Sequence, residues 1–176
     1  MPKPAVAFSL LCACLCLATA GAEVHFSPST GVYLAIKQEI ENAKQEIVVA
    51  MYTFTNRKLA QALLEAGKRG VLIRVLLDEE AAGEISYSKH GFLRAGGIAV
   101  RLYAGTPPLY DQDWPGKMHH KFAVVDGVTV LTGSVNWTAS GVHKNNENLL
   151  IIRDSALAKA YTAEFEKLWQ ACAPRQ

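Results

Sequence analysis

Residues Lys117 to Asn136 read KMHHKFAVVDGVTVLTGSVN. Two apolar, β-branched runs flank the pair Asp126-Gly127, a short-range signal for a β-hairpin with a two-residue turn. With those two residues as the loop, Val125 faces Val128, Ala123 faces Val130, Lys121 faces Thr132 and His119 faces Ser134. Strand alternation then puts His119 and Lys121 on one face, with Ser134 and Asn136 returning to it. Met118, His120, Phe122 and Val124 take the other face. A histidine, a lysine, a hydroxyl and an amide so gathered can bind and attack a phosphate. Imidazole serves as nucleophile or proton carrier, ammonium opposes the anionic oxygens, and Lys121, Ser134 and Asn136 form the phosphate-binding set. Gly133, beside that face, allows close backbone approach or a bulge.

The same residues spell His119-x-Lys121-x4-Asp126-x6-Gly133-Ser134-x-Asn136. This pattern resembles the HKD signature of the phospholipase D superfamily, extended by its glycine-serine-x-asparagine tail. Six polar or glycine positions at fixed spacing carry the likeness, where a lone His-x-Lys would not. Glu147, in NNENLLII, stands where the family carries an acidic residue that orients the catalytic histidine. From Val24 to Trp169 the chain is similar to the small single-motif nucleases of that superfamily.

The resemblance implies a catalytic set of His119, Lys121, Asp126 and Glu147. The hairpin register disagrees at Asp126, which it leaves at the turn, about 20 Å along the strand from His119. Asp126 is therefore expected to organise the turn rather than touch substrate. Glu147 would fix the tautomer of His119 and stabilise its cation, as a third triad member does. Family members use two HKD motifs per site and this chain has one, so the resemblance implies a site completed across a symmetric homodimer. One His119 would attack phosphorus and its counterpart would protonate the leaving oxygen, through a phosphohistidine.

At 176 residues the chain has room for one domain, and half of its residues are apolar. A net charge of +2 and scattered Lys and Arg pairs do not by themselves mark a nucleic-acid binder. Residues 1–22 read as a secretory signal: Lys3, an apolar stretch from Ala5 to Ala18, then small residues. Cleavage is expected after Ala22, leaving residues 23–176 as a single phospholipase D-like domain, exported to a periplasm or secreted. The rival reading is an uncleaved membrane anchor; Leu11 to Cys14 also weakly resembles a bacterial lipobox, with Cys14 the lipidated candidate. Cys12, Cys14 and Cys16 lie in this segment, so Cys172 alone remains beyond it, free or joining two chains.

Apolar spacing predicts a helix from Ser29 or Thr30 to Lys44, a buried strand over Glu46–Tyr52, and a helix over Arg57–Lys68 capped by Asn56 and closed by Gly70. A strand over Val71–Leu77, a loop over Glu79–Ser86, a helix over Tyr87–Ala95 and a strand over Ile98–Tyr103 follow. Ala104–Gly116 breaks every periodicity, and its Tyr110 and Trp114 either stack on a substrate ring or pin the loop. Thr138–Lys144 is a second irregular connection. Glu147–Ile152 is a strand, and Asp154 or Ser155 caps a last helix with Leu157, Ala160, Tyr161, Phe165 and Leu168 inward. The fold class is α/β, a mixed sheet flanked by helices on both faces, as the resemblance also implies.

No carboxylate or His/Cys cluster has metal-ligand spacing, and no cofactor is implied. The expected function is an exported, metal-independent phosphodiesterase or endonuclease that cleaves DNA or RNA with little sequence preference. Two alternatives stay open: a phospholipase D or phosphatidyl transferase acting on lipid, and a non-catalytic nucleic-acid-binding module.

Overall fold

The computed structural model describes residues 21–105 and 116–172. Tyr110, Trp114 and the apolar stretch from Ala5 to Ala18 lie outside the described residues. Seven strands form one mixed sheet: β1 (Gly21–Ser27), β2 (Glu46–Met51), β3 (Leu72–Asp78), β4 (Ala99–Tyr103), β5 (Lys121–Val125), β6 (Thr129–Gly133) and β7 (Glu147–Arg153). Their spatial order is β1-β7-β6-β5-β2-β3-β4. β2, β3 and β4 run parallel, and every other neighbouring pair is antiparallel.

The parallel half follows from its sequence. EIVVAM and LIRVLLD are short apolar runs suited to strands buried on both faces, and β2 is buried throughout except at Glu46. A helix crosses between each parallel pair. Helix α1 (Thr30–Asn42) precedes β2, α2 (Arg57–Lys68) links β2 to β3, and α3 (Glu79–Glu84) and α4 (His90–Ala95) link β3 to β4. Asn56 caps α2 by accepting the Lys58 and Leu59 N–H groups at 3.0 and 3.1 Å, which satisfies donors that the helix cannot satisfy itself.

Both faces of the sheet are covered. On one, Val32, Ile36, Leu59 and Leu63 of α1 and α2 pack on Val49, Met51, Val75, Ala123 and Leu131. Short helix α5 (Ala139–His143) adds Val142 to this layer. On the other, the long helix α6 (Ser155–Ala171) lays Ala158, Phe165 and Leu168 against Val48, Leu76, Val124 and Val130. Among the described residues no helix is long and apolar enough to cross a membrane.

Several expectations need correction. Residues 79–84 are helical rather than a loop, because Asp78 caps them through the Ala81 N–H at 2.9 Å and Ala81 and Ala82 are buried. Thr138 likewise caps α5 inside the supposed irregular connection, through the Gly141 N–H at 2.9 Å. Helix α4 starts at His90, since Ser88 closes a turn on Ile85 and Tyr87 is exposed. In α6 it is Ala158, not exposed Ala160, that points inward.

The hairpin register is shifted by one. Val125 pairs with Thr129 and Phe122 with Thr132, so Val128 joins Asp126 and Gly127 in the loop. Asp126 and Gly127 both take positive φ, 52° and 65°, as a primed turn needs, and Val128 N–H closes that turn on the Val125 carbonyl at 3.1 Å. The carbonyl of Val128 then accepts the Asp154 N–H at 3.0 Å, a bond outside the hairpin. That bond holds Val128 out of the ladder.

Candidate active site

The carboxyl ends of β2, β3 and β6 and the amino ends of β5 and β7 meet at one edge of the sheet. The pairs Met51–Lys121, Met51–Leu77 and Gly133–Leu149 fix this juxtaposition. In α/β sheets, ligands bind outside the carboxyl ends of the parallel strands. His119, Lys121, Ser134, Asn136 and Glu147 all belong to this edge.

His119 does not sit on a strand, because β5 begins only at Lys121. The segment 117–120 approaches the sheet irregularly, held by the His120 carbonyl accepting the Tyr52 N–H at 2.8 Å. The two side chains still meet. Lys121 Nζ lies 3.1 Å from His119 Nδ1 and 3.3 Å from Nε2, and donates to the His119 carbonyl at 2.8 Å. Tyr52, which the sequence reading passed over, lies against both: its ring centroid is 4.4 Å from that of His119, and Lys121 Nζ is 5.0 Å from it.

This packing sets the charges. Partial burial lowers the pKa of His119, and the Lys121, Lys117 and His120 charges lower it further, against a raising effect of Asp78. The imidazole is thereby biased toward its neutral, nucleophilic form. Half-buried Lys121 is also lowered by desolvation, with Glu147 acting in the opposite sense. The edge thus carries an ammonium that costs energy to keep partly dry, a site suited to a phosphate oxygen.

The register shift changes how Ser134 arrives. Thr132, expected opposite Lys121, pairs with Phe122 instead, so the register carries Gly133 toward Lys121, and Ser134 leaves the strand after it. Gly133 has φ 149°, and a Cβ there would collide with the Asn148 carbonyl oxygen. Only glycine lets the two backbones close so tightly. Ser134 Oγ then donates to Glu147 Oε2 and accepts the Asn148 N–H at 3.1 Å.

Glu147 shares a face with Leu149 and Ile151, the face on which Lys121 lies. Its second oxygen accepts from Asn145 Nδ2 at 3.2 Å. Its hydrogen bonds therefore run to Ser134 and Asn145, and its charge acts on Lys121. The expected support of the His119 ring by Glu147 is not among these bonds. Asn136 accepts the Thr53 N–H at 3.2 Å, which ties the segment after β6 to the end of β2.

Asp126 lies at the opposite end of the sheet. Its carboxylate accepts the backbone N–H groups of Lys44, Gln45 and Glu46 at 2.7–3.2 Å. It joins the hairpin turn to the start of β2, the structural role that its register implied, and lies away from the other named site residues.

A cleft of about 390 Å³ opens beside His119, lined by Tyr103, Lys117, His120, Glu164 and Lys167 among others. Among the described residues no three His, Cys, Asp or Glu side chains are grouped to hold a metal ion.

The profile of the family described as "Cardiolipin synthase, PLD-like domain" matches residues 36–169. The proteins called mitochondrial cardiolipin hydrolase of Xenopus tropicalis and Homo sapiens are 45% and 36% identical over 132 residues, 75% of this chain. The chain spans 58% and 48% of their lengths. Among solved structures, the phospholipase D family member Nuc from Salmonella typhimurium superposes with TM-score 0.76 at 28% identity, covering 86% of this chain and 95% of that one. NucT from Helicobacter pylori gives TM-score 0.82 at 23% identity, covering 87% and 98%, and shares the fold. The profile match spans the HKD residues, Glu147 and most of the sheet, and so the chain belongs to the phospholipase D superfamily.

Proposed function

We propose that the protein is a phosphodiester hydrolase in which His119 is the nucleophile. The observation that carries this reading is the contact of His119 with Lys121, at 3.1 Å, on an open sheet edge. A neutral imidazole nitrogen of His119 attacks phosphorus while Lys121 neutralises the non-bridging oxygens. The bond to the leaving oxygen breaks, and that oxygen takes a proton from the protonated His119 of the partner subunit. Water then attacks the phosphohistidine, gives its proton back to the partner's His119, and frees the first His119. The dimer follows from the single motif in each chain. No step in this scheme calls on a metal ion.

Nucleic acid is the leading substrate. Lys117 and Lys167 line the cleft that begins at His119 and suit a polyanionic strand continuing past the cleaved bond. The resemblance of its single HKD motif to that of the small nucleases supports the same reading. A lipid phosphodiester is the second reading, favoured by the identity with proteins called cardiolipin hydrolases. Location enters here too. Either residues 1–22 are cleaved and the domain is exported, or they stay as an anchor. Amino-terminal sequencing of the protein from its host separates these.

The test is hydrolysis in EDTA of single- and double-stranded DNA, RNA, and cardiolipin vesicles, by the wild type and His119→Ala. Nucleic-acid cleavage confined to the wild type is the expected result. Lipid cleavage alone would move the protein to the second reading. A nucleic-acid affinity without turnover would leave a binding module.

A further inference from the structure

His119 lies outside the ladder, yet its ring must be held to within a fraction of an ångström for in-line attack. Two backbone hydrogen bonds bracket it. On its carboxyl side, the His120 carbonyl accepts the Tyr52 N–H at 2.8 Å. On its amino side, the Met118 N–H donates to Asp78 Oδ2 at 2.9 Å. Asp78 is 2% exposed, and its other oxygen accepts the Ala81 N–H at 2.9 Å. A buried carboxylate is costly unless its lone pairs are used. Here both oxygens are used, one on α3 and one on the segment that carries His119. Glu80, two residues on, adds an ion pair to Lys117 at 3.1 Å.

We propose that Asp78 is a positioning residue for His119: its carboxylate fixes Met118 at the end of β3 and so sets where the imidazole stands relative to Lys121. This rests on the reading of His119 as nucleophile. A second consequence comes from charge. The groups acting on His119 are Lys121 from β5, Lys117 and His120 from its own segment, and Asp78 from β3, with the Tyr52 ring against it from the end of β2. Among those charges Asp78 is the one that raises the His119 pKa. Removing its charge without its shape therefore moves His119 to titrate at lower pH.

Asp78→Asn is the variant to make, because the amide oxygen can still accept the Met118 N–H while the charge and the second acceptor are lost. Histidine side-chain NMR, with His119→Ala to assign the resonance, follows the imidazole without any substrate. In folded Asp78→Asn the His119 titration moves to lower pH. In hydrolysis, kcat falls by about tenfold with KM changed less, and both limbs of the pH profile move down. In the wild type, the Met118 amide exchanges slowly with solvent, which needs no variant to observe. A fast-exchanging Met118 amide overturns the proposal. So does a folded Asp78→Asn protein whose His119 titration or kcat matches the wild type, even if its melting temperature has dropped. Activity retained in His119→Ala would instead sink the reading of His119 as nucleophile and leave the NMR result to judge Asp78 alone.

Discussion

At His119 the decisive quantity is which protonation state the site favours. Partial burial and the neighbouring Lys121 ammonium both disfavour the imidazolium. Replacing Lys121 by Met removes a positive charge, so the His119 pKa rises and the acid limb of kcat/KM moves to higher pH. Loss of the cation facing the phosphate also lowers kcat/KM by about 10²–10³-fold. A pH series of both proteins checks the direction and the size together. Asp126 answers differently. Asp126→Ala deletes the acceptor for three backbone N–H groups and leaves a positive φ without the side chain that tolerates it. It should cost about 1–3 kcal/mol in urea unfolding, with kcat/KM of the folded protein near that of the wild type. The His119-x-Lys121 pair was legible because two residues of fixed spacing cannot be far apart. Tyr52 and Asp78 were not, because only the pairing of β5 on β2 and of β2 on β3 brings them beside His119.

Among the elements, those with an apolar period and a capping residue were read correctly. Helix α2 has both, and its limits agree with those read from Asn56, Leu59, Leu63 and Gly70. Helices α3 and α5 were missed, since six residues such as EEAAGE show less than two turns of periodicity and rely on Asp78 and tertiary burial, whereas α4 was read as helical with its start three residues early. The hairpin slip has a similar origin: Asp126-Gly127 signals a turn, but the bond from Asp154 that displaces Val128 comes from a residue after β7. The slip makes Gly133 the critical residue of β6. Gly133→Ala forces a β-carbon against the Asn148 carbonyl at φ 149°. It should destabilise the protein by at least about 1–2 kcal/mol, and it should lower kcat more than remote changes of equal cost, because Ser134 and Glu147 move with the strands. Chemical denaturation and kcat measured on the same samples separate the two effects.

For the whole molecule, the α/β class with helices on both faces followed from interleaved periodicities, whereas the strand order did not. Placing β5 beside β2 and β7 beside β1 depends on pairings between residues far apart in the chain. That order is what puts His119 and Lys121 at the carboxyl ends of β2 and β3, and Asp126 at the other end of the sheet. Each chain supplies one such edge. Sedimentation should therefore give a dimer, and mixing excess His119→Ala into wild type should reduce activity beyond simple dilution, since mixed dimers lack one of the two histidines. A monomer with full activity would contradict the shared site.

The most direct test of the account is a single-turnover reaction in EDTA, quenched in base to preserve phosphoramidate, followed by mass spectrometry of the digested protein. The account predicts a substrate-derived phosphoryl group on His119, formed and lost at rates that match turnover, and absent from His119→Ala. Turnover with no adduct on His119, or undiminished turnover in His119→Ala, would contradict it.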